Sequence, residues 1–424
     1  MIDDEMQVLG KPSKLSKREG WLIAIVLLSI VLALGIAFYL ALLPQQPIKM
    51  RTEEAMGNST IIPELQAVAD SILKAKLEEI DGLQGQVIVM EAQTGKILAM
   101  VGLERNFESK FQPCNNFAYQ QELGSLMKTV SLLAALETGK VKLSDEVETG
   151  SGIWPVEDGY MMKDHNWRRG GYGKITVERA MEVSSNVGIS KTIAKTFGDN
   201  PQQFFDLLEK MSYGQPDSID GIDGLKPTSY SSPKDADWKN HYLWWSAIGY
   251  ERKITPIQML TFYNAIANGG KMVKPTLKTG EIEIINPQIA SKANIDSMQV
   301  VLEHVVSQGV GGRAGTPIIG VAGKTGTSQV REYEFGEDSY VDEYQLAFCG
   351  YFPADEPMYS MIVSMNKLGL PASGGGMAGQ VFKGIVEQMV IHGMPTLFMI
   401  DEEKNDTTMV DEEYLDSIKN IHNE

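Results

Sequence analysis

The chain has 424 residues, 43% of them hydrophobic, and a formal net charge of −17 at pH 7. That length and apolar content support one large domain or two small ones, and the acidic charge argues against a nucleic-acid partner because no basic stripe is available to meet phosphates. There are only two cysteines, Cys114 and Cys349, which excludes a disulfide framework and favours two unpaired thiols over a single bridge.

An apolar segment near the N-terminus, residues 21–43, carries no charge and is long enough to cross a bilayer as a helix. The basic residues before it, which favour the cytoplasmic side, are Lys11, Lys14, Lys17 and Arg18. We therefore predict a cytoplasmic tail at 1–20 and a transmembrane anchor at 21–43 in a single-pass protein of the inner (cytoplasmic) membrane, with its remainder outside the cytoplasm. A cleaved signal peptide is the alternative, and the apolar run is too long for one.

Hydrophobic periodicity and turn residues predict the remaining elements in chain order. After a polar linker at 44–62, helices are predicted at 64–80, 124–141, 175–198, 255–270, 294–309 and 380–393. Strands are predicted as a hairpin over 85–102, with its turn at Gly95, and as later runs at 318–330, 345–353 and 358–366. Strands at both ends with helices between them imply an α+β domain over 63–398, followed by an acidic tail at 399–424.

The predicted helix at 124–141 is apolar on every side, the pattern of a segment buried all round. Ser125 and Lys128 nevertheless lie on one face near its start. Burial lowers the pKa of a lysine, and a neutral amine within hydrogen-bond reach can act as the base that activates a serine. A Ser-x-x-Lys pair also occurs by chance, with a solvated or salt-bridged lysine, so the pair alone is weak evidence.

Three polar residues, Ser184-Ser185-Asn186, interrupt the helix predicted at 175–198. A polar run ordinarily marks a turn or a solvent-facing side, but both flanks here are largely apolar, and buried hydroxyl and amide groups need hydrogen-bond partners. Ser184 is a candidate for passing a proton between Lys128 and a leaving group. Asn186 is a candidate for holding a substrate amide or for positioning the lysine.

The third motif is Lys324-Thr325-Gly326-Thr327, for which a plain β-turn is the ordinary alternative. A phosphate-binding loop is excluded because Ile318 replaces a glycine that its signature requires, and no helix follows. In a strand, Lys324 and Gly326 project to one face and Thr325 and Thr327 to the other. Gly326 would leave room for a ligand backbone, and a lysine with threonine hydroxyls can bind a carboxylate.

The sequence predicts neither a metal site nor a cofactor. Its five histidines are scattered and lack the H-E-x-x-H spacing of a zinc site. The absence of a G-x-S-x-G motif argues against an α/β-hydrolase triad. His165, in the stretch "KDHNW", is a candidate for the mouth of the site, although a loop histidine ordinarily has no such role.

S-x-x-K, S-x-N and K-T-G in this order form the signature of penicillin-binding proteins and serine β-lactamases. Four stretches resemble the transpeptidase domain of class B penicillin-binding proteins, the cell-division type especially: "GSLMKTVSLLAALETGKV", "TVERAMEVSSNVGISKTIAKTFG", "WWSAIGYERKITPIQMLTFYNAIANGGKMVKP" and "VAGKTGTSQ". The resemblance covers about 83–390. It implies the penicillin-binding transpeptidase / serine β-lactamase-like α+β fold, an antiparallel sheet flanked by helices, together with one N-terminal transmembrane helix.

The resemblance also implies a reaction and roles. Ser125 would attack the penultimate D-alanine carbonyl of a peptidoglycan stem peptide and expel the terminal D-alanine, with Lys128 as its base. Ser184 would relay the proton, and Asn186 would bind the peptide. An amine from a neighbouring strand would then resolve the acyl-enzyme into a cross-link, and β-lactams would acylate the same serine.

A second group of residues would bind the substrate, according to the same resemblance. Lys324, Thr325 and Thr327 would hold its terminal carboxylate beside Gly326. The backbone N–H groups of Ser125 and Thr327 would form the oxyanion hole.

Other functions stay open at this stage. A D,D-carboxypeptidase would hand the acyl group to water, and a penicillin-binding scaffold or sensor would turn over little. A β-lactamase is less favoured, because no E-x-x-x-N deacylation loop is recognisable.

Two departures from the family pattern bear on partners. Only the linker and one helix occupy the span in which class B proteins usually carry a pedestal domain, and Leu123 replaces the proline that typically precedes the G-S-x-x-K run. We therefore expect a partner that compensates for the pedestal, either a membrane glycan polymerase or another divisome or elongasome subunit.

Overall fold

The computed structural model describes residues 58–156, 159–250, 252–334 and 340–393. The predicted cytoplasmic tail at 1–20, the predicted anchor at 21–43, most of the predicted linker and the predicted acidic tail at 399–424 lie outside the described residues. Within the four described ranges, no helix is both long and apolar enough to cross a membrane.

The helices and strands follow the predicted order along the chain. The α-helices are α1 (Pro63–Glu79), α2 (Met127–Glu137), α3 (Val177–Glu182), α4 (Asn186–Phe197), α5 (Pro201–Lys210), α6 (His241–Ser246), α7 (Pro256–Ala267), α8 (Lys292–Ser307) and α9 (Gly379–Ile391). The strands are β1 (Gly82–Glu91), β2 (Ile97–Arg105), β3 (Phe111–Pro113), β4 (Glu146–Glu148), β5 (Ile153–Pro155), β6 (Met161–Lys163), β7 (Lys174–Thr176), β8 (Ser229–Tyr230), β9 (Arg252–Lys253), β10 (Met272–Val273), β11 (Ile284–Asn286), β12 (Ala322–Glu334), β13 (Tyr340–Phe352) and β14 (Tyr359–Leu368).

A six-stranded sheet with the order β12-β13-β14-β1-β2-β3 forms the centre of the domain. Every neighbouring pair is antiparallel, so the two ends of the chain build one sheet, as predicted. The predicted hairpin is confirmed as β1 and β2, and Gly95 in its turn has φ +77°. Glycine adopts this left-handed conformation without steric penalty, which is why it supplies the turn.

The sheet separates two hydrophobic cores. Successive side chains of a strand point to opposite faces, and in β1 Ile88 and Met90 join the core with α2, α4, α7 and α8. Val87 and Val89 join the core with α1 and α9 on the other face. The result is a helix–sheet–helix arrangement in which the strands are apolar on both sides.

The predicted helix at 124–141 is longer than the helix that forms. A 3₁₀ turn, Gly124–Leu126, precedes α2, and α2 ends at Glu137. Gly139, just beyond the C-terminal cap, has φ +69°, the conformation in which a glycine commonly stops a helix. The predicted helix at 175–198 is divided into α3 and α4 at the polar motif.

The first described residues are attached to the domain. The backbone N–H of Thr60 donates to Leu277 O at 3.0 Å, that of Ile62 donates to Leu98 O at 2.8 Å, and both side chains are buried. The last part of the predicted linker is therefore docked on the sheet. The two cysteines are unpaired, as predicted; Cys349 is buried and Cys114 is half-buried.

Candidate active site

The three motifs meet at one cleft of about 420 Å³. It is lined by Ser125, Ser184, Asn186, Thr325 and Thr327, and further by His165, Ile248, Tyr250, Val310 and the 372–375 turn. Lys128 and Lys324 are fully buried and reach Ser184, one of the lining residues. Residues separated by up to 202 positions in the chain are thus brought together by the packing of α2, α4 and β12.

Ser125 lies in the 3₁₀ turn before α2 and is half-buried. Tyr263 of α7 fixes the start of α2: its hydroxyl donates to Leu126 O at 2.9 Å and lies 2.7 Å from Thr129 Oγ1. Gly124 has φ +55°, and a Cβ there would come within 2.9 Å of Thr327 O. Glycine therefore allows the Gly124–Leu126 turn to lie directly against β12.

Gly326 lies close to the protein's own chain. A Cβ at this position would lie 2.5 Å from Leu123 O, so the space that glycine leaves is taken by the protein's own chain. Because Leu123 immediately precedes the Gly124–Leu126 turn, Gly326 and Gly124 together let this turn and β12 touch without side chains between them.

Lys128 faces the second motif. Its Nζ donates to Ser184 O at 2.7 Å, to Asn186 Oδ1 at 2.7 Å and to Ser184 Oγ at 3.2 Å. Among the described residues, the acceptors of this amine do not include the Ser125 hydroxyl, which is the contact the sequence predicted. The buried carbonyl and amide oxygens hold the amine on their side, and catalytic hydrogen bonds often tighten only when substrate is bound.

Burial lowers the pKa of Lys128 to about 7, against an opposing effect of the Asp164 carboxylate. Lys324 donates to Ser184 Oγ at 2.8 Å and to Thr325 O at 3.1 Å, and burial together with the charge of Lys128 holds its pKa well below the usual range. Two amines that share one hydroxyl cannot both carry a proton cheaply. The two lysines therefore favour a state in which one amine of the cleft is neutral near neutral pH.

Ser184 occupies the gap between α3 and α4 in a left-handed conformation, with φ +54°. Such a conformation is strained for a residue with a Cβ, and strain of this kind is characteristic of functional sites. Ser185 caps α4 by accepting the Gly188 N–H at 2.8 Å. Asn186 donates through Nδ2 to Lys163 O at 2.8 Å, which aims its Oδ1 at Lys128.

Sequence reasoning missed two parts of the site. The turn at 372–375 forms one wall, and its Gly374 N–H donates to Thr327 Oγ1 at 2.9 Å. The run of three glycines at 374–376 was the available signal. The second part is Asp164, a buried carboxylate behind the polar motif, beside the His165 that lines the cleft. Burial and the charge of Lys128 are the main causes that lower the pKa of His165.

A group of possible metal ligands lies between α3 and α8. The ligand atoms of Glu178, Glu182 and His304 lie within 4.8 Å of one another. They are engaged with protein groups: His304 Nδ1 lies 2.9 Å from Glu178 Oε1, and Arg179 Nη1 lies 2.5 Å from Glu182 Oε2. We interpret the group as an ion-pair network that ties α3 to α8.

Thr327→Val should slow acylation by a β-lactam while the domain stays folded. The change removes one hydroxyl from the predicted carboxylate site and its bond to Gly374. A hydrogen bond to a charged group contributes about 1.5–3 kcal/mol, which corresponds to roughly tenfold to a hundredfold in rate. The measurement is the second-order acylation rate constant with fluorescent penicillin.

Thr138→Val is the matched control for this change. Thr138 follows the C-terminal end of α2 and donates to Ala135 O at 2.6 Å, away from the cleft. Its removal should leave the acylation rate unchanged. A wild-type rate in Thr327→Val would mean that the carboxylate binds elsewhere.

The fold and this cleft are typical of a class of proteins whose sites are built around a serine and a buried lysine rather than a serine and a histidine. Within that class the chain belongs to the penicillin-binding protein transpeptidase domain family, whose family model matches residues 85–387. This match confirms the resemblance predicted from the motifs, the penicillin-binding transpeptidase fold and nearly the predicted extent of 83–390.

Known proteins similar to this chain agree with that membership. The TP domain of penicillin-binding protein 3 from Burkholderia pseudomallei superposes with a TM-score of 0.67 at 26% identity, covering 79% of this chain and 96% of that one. Stage V sporulation protein D of Bacillus subtilis is 26% identical over 76% of this chain and 53% of its own length. The probable peptidoglycan D,D-transpeptidase PbpC of Pseudomonas aeruginosa is 27% identical over 71% and 52%. The chain thus spans about half the length of these curated relatives.

Proposed function

We propose that this protein is a membrane-anchored peptidoglycan D,D-transpeptidase that cross-links stem peptides through a serine acyl-enzyme and is acylated by β-lactams. The observation that carries the proposal is the convergence on one cleft of Ser125, two buried lysines and the Ser184 hydroxyl that both lysines contact. The names of two relatives support the substrate class: PbpC, and the peptidoglycan D,D-transpeptidase FtsI homolog of Mesostigma viride.

In the first half-reaction Ser125 Oγ attacks the carbonyl carbon of the penultimate D-alanine. Its proton passes to the neutral Lys128 amine, which is the base, as the C–O bond forms. When the C–N bond breaks, the proton returns through the Ser184 hydroxyl to the leaving amine, and free D-alanine departs. A neutral Lys128 suits this step, because two N–H groups serve Ser184 O and Asn186 Oδ1 and the lone pair is left to accept the Ser125 proton.

The substrate is held by the groups that surround this path. Lys324 and the hydroxyls of Thr325 and Thr327 bind the terminal carboxylate, whose negative charge favours the protonated form of Lys324. Asn186 binds the peptide backbone. The N–H groups of Ser125 and Thr327 stabilise the oxyanion that develops on the carbonyl oxygen. In the second half-reaction an amine of a neighbouring stem peptide attacks the ester and releases Ser125.

We also propose how the residues outside the described ranges are organised. A cytoplasmic tail at 1–20 and an anchor at 21–43 place the catalytic domain, 63–398, on the outer side of the inner membrane, with an acidic tail at 399–424. Thr60 and Ile62 are hydrogen-bonded to the domain, so the part of the linker at 44–62 that can span from anchor to domain is shorter than the full linker. A membrane glycan polymerase, or another divisome or elongasome subunit, would then deliver newly made strands close to the membrane.

One assay on the full chain tests the function. One sample of the protein is labelled with fluorescent penicillin, and a separate, unlabelled sample is supplied with lipid-linked glycan strands and a membrane polymerase, with and without penicillin. We expect covalent labelling and penicillin-sensitive cross-links. Release of D-alanine without cross-links would identify a carboxypeptidase, labelling without either product would identify a scaffold or sensor, and the absence of labelling would overturn the proposal.

A further inference from the structure

We infer that Asp164 is a positioning residue for the acylation step, holding the Ser184–Asn186 turn in the conformation that presents its oxygens to Lys128. The inference rests on the proposed function, since it concerns the rate at which Ser125 is acylated. It adds a carboxylate that lies outside all three sequence motifs.

The carboxylate of Asp164 is almost completely buried, with 1% of the residue exposed. Its two oxygens accept the Ser185 hydroxyl at 3.0 and 2.8 Å, and Oδ1 also accepts the Val187 N–H at 3.0 Å. Both donors belong to the cap and the first turn of α4. A buried charge is retained only where such bonds compensate for its lost hydration, so this contact is specific.

The backbone of Asp164 is itself fixed. Its N–H donates to Gly152 O at 2.9 Å, and its carbonyl accepts the Trp167 N–H at 3.1 Å. The preceding residue, Lys163, ends β6 and accepts the Asn186 side chain through its carbonyl at 2.8 Å. Lys163 at the end of β6 and the adjacent Asp164 therefore hold the two residues that follow Ser184.

These hydrogen bonds account for the strained conformation of Ser184, the residue between α3 and α4. Ser184 keeps φ +54° although no glycine is present, and such a conformation persists only when the surroundings over-determine it. The same conformation directs the Ser184 carbonyl and hydroxyl oxygens to Lys128. Loss of the Asp164 contact would let the turn relax and would remove these acceptors from the amine.

Asp164 has a second effect, through its charge. Three titratable groups face Lys128: Lys324 on β12, and Asp164 and His165 on the loop after β6. Burial lowers the pKa of Lys128, and the Asp164 carboxylate opposes that lowering. Removing that negative charge therefore lowers the Lys128 pKa further. Because the neutral amine is the base, the acid limb of the acylation rate would move to lower pH.

The test follows the acylation rate of the full chain with fluorescent penicillin from pH 5 to pH 9. In Asp164→Asn we expect the plateau rate to fall by roughly tenfold or more, the effect of losing a charged hydrogen bond, and the acid limb to move to lower pH. In Ser185→Ala the charge remains while its two contacts with the Ser185 hydroxyl are lost. The plateau should fall, and the acid limb should stay in place.

Glu137→Gln is the matched control, because Glu137 also accepts three hydrogen bonds, from Ser291 N, Ser291 Oγ and Asn294 Nδ2, and lies at the far end of α2. It should lower the melting temperature and leave both readouts unchanged. A wild-type plateau in Asp164→Asn or in Ser185→Ala would overturn the inference. An acid limb that stays in place in a folded Asp164→Asn variant would also overturn the inference. If that variant does not fold, the plateau rate of Ser185→Ala decides whether the inference holds. A wild-type protein that is not labelled at all would instead contradict the proposed function.

Discussion

Ser125→Ala should abolish covalent labelling by fluorescent penicillin and leave the fold intact. A strained lactam mimics the D-alanyl-D-alanine end of a stem peptide, and its label survives denaturation only as an ester of the attacking hydroxyl. Ser125 is half-buried at the cleft, so removal of one oxygen disturbs little packing. The measurements are gel fluorescence for labelling and a thermal melt for stability.

Ser131→Ala provides the control for this loss. Ser131 lies on the same helix, is fully buried and donates to Ala247 O at 2.9 Å, so it tests whether any serine of α2 affects labelling. It should lose some stability and keep its label. Mass mapping that places the drug on Ser131 or on Ser184 would contradict the assignment of the nucleophile.

Lys128→Arg should be nearly as inactive as Lys128→Ala, although it keeps a positive charge. The pKa of Lys128 is lowered to about 7, so the native amine loses its proton within the physiological range, whereas arginine stays protonated and cannot accept one. General base catalysis contributes roughly 10²–10⁴-fold, and both variants should lose about that much in acylation rate. The measurement is the acylation rate constant at pH 8, where the wild-type amine is mostly neutral.

Lys140→Arg is the matched control, because Lys140 lies beyond the other end of α2 and its amine donates to Thr196 O at 3.2 Å. This variant should acylate like the wild type. If Lys128→Arg also acylated at a near wild-type rate, Lys128 would act only through its charge, and the neutral amine of the cleft would have to be Lys324.

Several features were predictable because they depend on short stretches of chain. The β1–β2 hairpin follows from two runs rich in β-branched and other apolar residues around a turn glycine, and Gly95 has the positive φ that this turn needs. The break between α3 and α4 was visible as three polar residues in an apolar run. The burial of Lys128 followed from the apolar helix around it. Periodicity and local composition report such features directly.

Other features were decided by contacts between residues far apart in the chain. Lys128 lies three residues from Ser125, yet its amine bonds to Ser184 and Asn186, because the segment between α3 and α4 and the first residue of α4 bring three acceptors to it. Gly326 makes room for the backbone of Leu123, just before the Gly124–Leu126 turn.

The sequence by itself determined the class of chemistry, because the reactive residue types stand in an order and a spacing that local rules can interpret. Only the tertiary structure decided which oxygen each amine contacts and which buried carboxylate holds the turn. Asp164 shows the reason. Its bonds to Ser185 and Val187 cross more than twenty positions of chain, and no local pattern encodes which of the chain's many acidic residues will be buried there.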